Sequence, residues 1–221
     1  MKKILYILIL TFSMTAVAQE TLKEGVILSK MTMSSSNPDV QSQLDMVGEM
    51  LSTTYFKDDK TRTEVKNMMT GESTNIIDST EKKMLVIMNN PMAGGKVYAE
   101  NSYEATEEDL KDVTITKSDE TRTFLGYECI KYDVVVNKNG AEVQMEIYAT
   151  DKISAINQQT TSFGDEFNGF PLFMEMHMNQ NGMEITMTME VNKIENETVS
   201  ADKFDMTPPE GYKKVDKLQG M

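Results

Sequence analysis

Apolar and polar side chains alternate in short runs along most of this 221-residue chain, and clusters of turn-forming residues separate the runs. Alternation with a period of two is the pattern of a half-buried β-strand. The separating clusters include KDDK, MTGES, STEK and NNPMAGG, which are rich in the residues that tight turns require. The pattern predicts strands at Glu24–Met33, Thr53–Lys57, Arg62–Met68, Thr74–Asp78, Met84–Met88, Lys96–Glu100, Val113–Lys117, Glu128–Val136, Glu142–Thr150, Leu172–Asn179 and Glu184–Lys193.

Helical patterns are few in this chain. Val40, Leu44 and Val47 fall at helical spacing after Asn37, a suitable N-cap, and predict a helix from Pro38 to Leu51. We expect its apolar face to lie against the sheet. Residues 104–112 predict a second short helix, whereas residues 151–171 are polar with three phenylalanines and predict a long loop or lid. These elements together predict a mainly β protein of the α+β class.

The sheet is expected to be an antiparallel meander, barrel or half-barrel, because many short strands follow one another without long helices. We predict an incomplete barrel of about ten to twelve strands, with a few short helices packed on or in its concave face. No repeat and no linker divides the sequence, so one β-rich domain is expected over residues 19–221.

Two Asn-Gly pairs predict hairpins whose register can be read directly, because a type I′ turn needs positive φ at both central residues. Around Asn139-Gly140, the register pairs Val136 with Val143 and Tyr132 with Ile147, and the apolar side chains fall on one face. A slip of one residue would mix the two faces. The register of this hairpin is therefore well specified by the sequence.

The second hairpin, around Asn181-Gly182, carries an unusual number of methionines. Its predicted pairs are Met178 with Ile185, Met176 with Met187, Met174 with Met189, and Leu172 with Val191, all on one face. His177, the only histidine, points to the other face because alternate strand residues do. A mixed methionine–histidine metal site is thereby excluded.

Three interpretations of the methionine surface remain open. It fills an ordinary core, it lines a pliable pocket for an apolar ligand, or its thioethers hold a soft ion such as Cu(I) or Ag(I). The chain has 20 methionines and no tryptophan, and well-specified cores use few methionines, which favours the pocket. The predicted ligand-binding side chains are Met174, Met176, Met178, Ile185, Met187 and Met189 on the hairpin, with Leu44 and Val47 on the helix above it.

The N-terminus has the pattern of a secretory signal peptide. Lys2 and Lys3 precede a short apolar run, and Ala16-Val17-Ala18 fits a cleavage site, so residues 1–18 are the predicted signal. No later stretch is apolar enough to span a membrane, and no cysteine near the cleavage site would accept a lipid anchor. We expect an exported protein of the periplasm or the exterior, without a lipid anchor.

Composition excludes several functions. The net charge of −13 argues against nucleic acid and against anionic membrane surfaces. Motifs of the common hydrolases, metalloproteases and phosphate-binding loops are missing, and Cys129 and His177 are predicted to lie on separate hairpins. We therefore predict no catalytic residues, no cofactor and no metal site that uses His177, and hence no enzyme.

Several segments resemble a known family, among them KEGVILSKMTM, TTYFKDDKTRTEV, NIIDSTEKKMLVIMN, FLGYECIKYDVVV and KFDMTPPEGYKKV. They are similar to exported bacterial proteins grouped as domain of unknown function 4412, which in turn resemble lipoprotein carriers of the LolA/LolB type. The resemblance covers about Glu24 to Val215 and implies an incomplete antiparallel barrel with an apolar cavity. In such carriers the cavity holds lipoprotein acyl chains.

The pattern and the resemblance together predict a non-catalytic binding or carrier protein. Its expected partner is an apolar small molecule, a lipid or the acyl chain of a lipoprotein, held in a methionine-lined cavity. Two alternatives stay open: a structural or interaction module of the cell envelope with a filled methionine-rich core, and a thioether Cu(I)- or Ag(I)-binding protein. The sequence does not define the oligomeric state.

Overall fold

The computed structural model describes residues 19–67, 69, 71–90, 95–102, 104–138, 141–180 and 183–216. In this part of the chain twelve strands form one sheet. The strands are β1 Glu24–Ser34, β2 Met50–Lys57, β3 Lys60–Asn67, β4 Gly71–Asp78, β5 Lys83–Asn90, β6 Gly95–Ser102, β7 Val113–Phe124, β8 Tyr127–Lys138, β9 Ala141–Thr150, β10 Phe170–Gln180, β11 Met183–Glu195 and β12 Lys213–Lys214. The helices are α1 Pro38–Val47 and α2 Glu107–Leu110, with 3₁₀ segments at Gln158–Glu166 and Ala201–Phe204.

The sheet is open, with the order β12-β6-β5-β4-β3-β2-β1-β11-β10-β9-β8-β7. Neighbouring strands pair antiparallel, except that β12 runs parallel to β6. The central strand β1 joins a meander of β2–β6 to a meander of β7–β11. The predicted mainly β class, with an unclosed sheet and few short helices, agrees with this architecture.

Both predicted hairpin registers are present in the ladders. Val136 pairs with Val143 and Tyr132 with Ile147, and the methionine pairs of β10 and β11 form as expected. That second ladder ends at Phe173 and Glu190, so Leu172 and Val191 lie past its last pair, although both are buried in one cluster. The Asn-Gly corners and the predicted signal peptide, residues 1–18, lie outside the described residues.

The helix predicted to continue to Leu51 ends at Val47 instead. Gly48 adopts a φ of 67°, and its N–H donates to the carbonyl oxygen of Leu44 at 3.0 Å, which closes the last turn. Leu51 consequently belongs to β2 and is 60% exposed. The helix contacts β1, and Leu44 and Val47 are half-buried rather than buried.

One sheet face, which we call the methionine face, carries most of the buried apolar side chains of β8–β11. Its core contains Met174, Met189, Tyr132, Val134, Ile147, Ala149 and Phe163. Phe163 comes from the segment 156–167, which we call the covering segment because it packs on this face. The N–H of Ile156 donates to Thr61 Oγ1 at 3.0 Å and fixes the start of the covering segment on β3. The region predicted as a loop or lid is therefore packed against the sheet over this part.

Residues 199–212, which we call the C-terminal segment, cover the opposite sheet face on β1–β6. Val199 and Phe204 pack near Val26, and Met206 and Tyr212 pack on β4–β6. The Glu24 carboxylate accepts hydrogen bonds from Lys57 Nζ and from the N–H of Val199, both at 2.8 Å. These bonds, first that from Lys57, hold the pKa of Glu24 below its usual value. Within the described residues, no helix is long and apolar enough to cross a membrane.

The core beneath the C-terminal segment makes a stability prediction. Leu85 is fully buried with Ile76 and Ile87, so Leu85→Ala should lower the free energy of unfolding by about 2–5 kcal/mol. Leu51→Ala is the matched control, since Leu51 is 60% exposed on a strand and should change it by less than about 0.5 kcal/mol. Urea unfolding measures both variants, and equal losses would contradict this core.

Candidate functional site

A cavity of about 120 Å³ lies between the methionine face and the covering segment. Strands β1, β2, β3 and β11 form its floor, and the start of the covering segment lies over it. The wall comprises three methionines (Met31, Met50, Met189), four hydroxyl side chains (Ser29, Ser52, Thr54, Thr63), three amides (Asn157, Gln158, Gln159), Val65 and Phe170.

Cross-strand register brings the three methionines together. Met31 on β1 pairs with Met50 on β2 and with Met189 on β11, so the three side chains form one row on the same face. Side chains directly opposite in an antiparallel pair have Cβ atoms about 4.5–5.5 Å apart. The apolar end of the cavity therefore contains thioethers from three segments that are distant in sequence.

The next two rows of the same face carry hydroxyl side chains, together with the apolar Val65 in the first row and Ile27 in the second. Ser29 pairs with Ser52 in the row beside the methionines. One row further, Thr54 pairs with Thr63, and their Oγ1 atoms are 3.0 Å apart in a hydrogen bond. The cavity is consequently graded along the strand direction, from thioethers at one end to hydroxyls at the other.

Asn75 extends the polar row by one strand. It pairs with the cavity residue Thr63 and is 7% exposed. Its Oδ1 and Nδ2 atoms are both buried and have no hydrogen-bond partner within the described residues. Buried side-chain amides almost always have a hydrogen-bond partner, so the amide of Asn75 is unusual.

The described residues of the cavity wall include no charged side chain, although the chain has 35 acidic and 22 basic residues. A ligand charge would lose its hydration there without gaining an opposite charge. The lining therefore favours uncharged groups, held by dispersion contacts at the methionines and by hydrogen bonds at the hydroxyls.

Of the side chains predicted to bind a ligand, Met189 lines this cavity. Met174 and Met176 share its face but pack in the cluster that contains Phe163 and Phe167. The remaining predicted side chains lie elsewhere along the hairpin or on α1 and are not in the cavity wall: Met178, Ile185, Met187, Leu44 and Val47. The structure therefore places the cavity beside the predicted surface, over β1–β3.

The hydroxyl rows are the part of the site that sequence reasoning missed. Ser29, Ser52 and Thr63 are ordinary strand residues in composition, and no turn fixes the register of β1 against β2, since α1 separates them. In the sequence, the corresponding signal is the set of polar residues at alternate positions of β1–β3. These residues indicate a binding site only once the covering segment is known to lie over them.

The single cysteine and the single histidine of the chain, Cys129 and His177, lie far apart. His177 pairs with Gln144, near one end of β9. Lys131 pairs with Tyr148 near the other end of β9, and Cys129 lies two residues beyond Lys131. His177 is exposed and contacts Thr186 Oγ1 at 3.1 Å and Glu175 Oε1 at 3.0 Å. No group of three or more His, Cys, Asp or Glu side chains in the described part of the chain could hold a metal ion.

The opposite face of β7–β9 carries a cluster of paired charges. Lys131 contacts Glu146 at 2.8 Å and Asp133 at 3.4 Å, and these carboxylates, first Glu146, raise its pKa. The buried Tyr148 hydroxyl donates to Glu120 at 2.7 Å, and burial raises the pKa of Tyr148 to about 12. The cluster therefore joins neighbouring strands through complementary charges and a hydrogen bond.

Cys129 should be chemically inert in the folded protein. Burial raises the pKa of this fully buried thiol to about 12, so its thiolate fraction at pH 8 is on the order of 10⁻⁴. Alkylation by iodoacetamide at pH 8 should be at least about a thousandfold slower in native than in urea-unfolded protein. Mass spectrometry measures the rate, and fast native labelling would place Cys129 at the surface.

Solved structures similar to this chain are distant in sequence, and no curated protein matches it. A structure of PNGF-II is similar at 16% identity and a TM-score of 0.44, covering 87% of this chain, which spans only 31% of that one. An uncharacterized conserved protein from Thermus thermophilus is similar at 12% identity and a TM-score of 0.42, covering 86% of this chain and 90% of that one.

The family described as Domain of unknown function (DUF4412) matches residues 29–212, from the cavity residue Ser29 in β1 to Tyr212 in the C-terminal segment. The matched range thus includes both meanders, the covering segment and all the cavity residues. This confirms the family resemblance inferred from the sequence, and the chain belongs to the DUF4412 family.

Proposed function

We propose that this protein is a non-catalytic binding or carrier protein, which holds a small apolar or amphipathic ligand between β1–β3 and the covering segment. The observation that carries the proposal is the cavity of about 120 Å³, with Met31, Met50 and Met189 at one end. Export by the predicted signal peptide, and therefore action in the cell envelope, is part of the same proposal.

The volume of the cavity sets the size of the ligand portion that fits. An engineered apolar cavity of about 150 Å³ in another protein holds one benzene molecule. A group of about five or six non-hydrogen atoms is therefore the expected size inside this cavity. A lipid or a lipoprotein acyl chain would place only its end in this cavity unless the covering segment moved.

Methionine suits such a wall because its side chain is flexible and its sulfur is polarisable. The three cavity methionines can adjust to ligands of different shape, whereas β-branched residues would define one shape. This property fits a carrier that accepts several related ligands. The same flexibility allows a methionine-rich surface to line a cavity instead of forming a fully packed core.

The start of the covering segment lies over only part of the cavity, and a ligand longer than the cavity would need the segment to shift. That segment consists of 3₁₀ turns interrupted at Gly164, whose φ of 61° and ψ of −153° are not helical. Gly169, just after it, has a φ of 107° and would clash with the backbone of Thr150 if it carried a Cβ atom. Glycines at such positions allow a segment to change direction. We propose that the end of the covering segment changes direction at these two points, while its start stays fixed on β3 by Thr61.

Ligand binding should be visible at the methionine methyl groups. In protein labelled with ¹³C-methyl methionine, benzene or octane should shift the signals of Met31, Met50 and Met189. Met46 and Met69 are 64% and 42% exposed and serve as internal controls that should not move. Lipids extracted from purified protein and identified by mass spectrometry would complement the titration.

A matched pair of filling variants completes this test. Val65→Phe places a larger side chain in the cavity wall and should abolish the shifts, whereas Val135→Phe lies outside that wall and should leave them. If nothing co-purifies and no probe moves any cavity signal, the protein is instead a structural module with a filled core.

A second candidate function is favoured by one further observation. Met33, Met187, Met176 and Met145 lie in one cross-strand row of β1, β11, β10 and β9. All four are half-buried, and Met145 and Met176 also pack against the core of the methionine face. Thioethers favour Cu(I) and Ag(I), and adjacent strands bring their side chains within reach of one another.

This candidate predicts sulfur-only binding of Ag(I), measured by competitive titration and X-ray absorption. Changing both Met176 and Met187 to Leu conserves volume and should weaken binding by at least about tenfold. Changing the exposed Met46 and Met69 to Leu is the control and should have no effect. Equal binding by both double variants would dispose of the thioether row.

A further inference from the structure

The two ends of the cavity differ in chemistry. Met31 and Met50 form the apolar row, Ser29 and Ser52 the intermediate row, and the third row contains hydroxyls. A purely apolar ligand would leave those hydroxyls to pair only with one another. A ligand with one polar and one apolar end would match both ends of the cavity, since its polar end would hydrogen-bond to the hydroxyls and its apolar end would contact the methionines.

Asn75 is the strongest sign of a polar group supplied from outside. Asparagine is depleted in strands, and the neighbouring position Ile77 of β4 and the paired residue Val86 of β5 are apolar. Both polar atoms of Asn75 are buried without a partner within the described residues. An apolar residue would be better there if packing were the only function of the position.

The side-chain amide of Asn75 defines the chemistry of its missing partner. It offers two N–H donors and one carbonyl acceptor, so its best complement is a neutral group that both donates and accepts. A carboxylate only accepts, and an ammonium only donates. Neither charge would meet a counterion among the described residues of the cavity wall.

Thr63 lies between the cavity and Asn75. It lines the cavity, pairs with Asn75 across β3 and β4, and shares a hydrogen bond with Thr54. Asn75 is not in the cavity wall, so a ligand would reach the amide only if the Thr63 side chain rotated about χ1 and exchanged its bond to Thr54 for one to the ligand. Thr63 and Asn75 are thus placed to recognise the same head group.

We propose, as a refinement that rests on the proposed function, that the cavity selects short neutral amphiphiles. The head group both donates and accepts hydrogen bonds, as a primary carboxamide does, and lies at Thr63 and Asn75. The tail of about four to six carbons lies at Met31, Met50 and Met189, which agrees with the size of the cavity. Asn75 is the specificity-determining residue of this site.

Three probes of equal size test the inference on the full chain: hexanamide, hexanoate and octane, each with eight non-hydrogen atoms. Methionine-methyl NMR titration should give hexanamide a Kd at least about tenfold lower than those of the other two, since hydrogen-bonding sites reject analogues that lack the bond. If octane binds as well as hexanamide, the head-group inference is wrong while the proposed function stands. If none of the three binds, the proposed function itself fails.

Asn75→Leu removes the amide at nearly constant size and should reduce the preference for hexanamide over octane to less than about threefold, while octane binding persists. Thr63→Val is the second variant, for use if Asn75→Leu does not fold, and it should also weaken hexanamide selectively. Asn192→Leu, on an exposed bulge of β11, is the matched control. Full retention of the preference by Asn75→Leu and Thr63→Val would show that the amide is only a structural or water-bound group.

Discussion

The pairing of β1 with both β2 and β11 is the interaction on which the rest of the structure depends. It joins the first strand of the chain to one near its end and makes a single sheet of two meanders. Because side chains alternate strictly across a strand, the register of β1 decides which groups share a face. With Met31 opposite both Met50 and Met189, thioethers from three distant segments meet in one row. A one-residue slip of β1 would move them to different faces and remove the cavity.

The two meanders use their faces differently, and this difference creates the site. In β8–β11 the methionine face is packed by Phe163 of the covering segment, as an ordinary core. In β4–β6 both faces carry buried side chains, and on the opposite face the C-terminal segment adds Met206 and Tyr212 to them. The methionine face of β1–β3 lies between these two cores and is only partly covered. Because this part of the face is only partly covered, its hydroxyl side chains can still find polar partners.

The proposed function depends on recognition of a ligand and uses none of the reactive side chains. Reactive groups are kept apart: Cys129 is buried, His177 is exposed, and the two lie toward opposite ends of β9. The charged groups of β7–β9 pair with one another on the opposite face. At the cavity, the described side chains offer dispersion contacts and neutral hydrogen bonds. Such groups discriminate ligands by shape and hydrogen bonding, which is what a binding protein requires.

The sequence by itself determined the class of fold, the strand positions and the registers of the two hairpins. These depend on local physics, since a two-residue corner and strict alternation set which residues within about a dozen positions face each other. The pairs of Met176 with Met187 and of Tyr132 with Ile147 follow from that rule. The end of α1 at Gly48 is also set locally. The positive φ of Gly48 stops the helix, although the apolar spacing of a helix continues to Leu51.

Only the tertiary structure decided where a ligand can lie. The cavity combines β1, β2, β3 and β11 with the start of the covering segment, and no single turn relates all these segments to one another. Their arrangement depends on which sheet faces are covered by segments from elsewhere in the chain. That outcome is decided by how the whole chain buries its apolar surface. The hydroxyls of Ser29 and Thr63 and the amide of Asn75 look ordinary along their strands. They become a candidate site because packing brings them beside the methionine row and leaves one buried amide unsatisfied within the described residues.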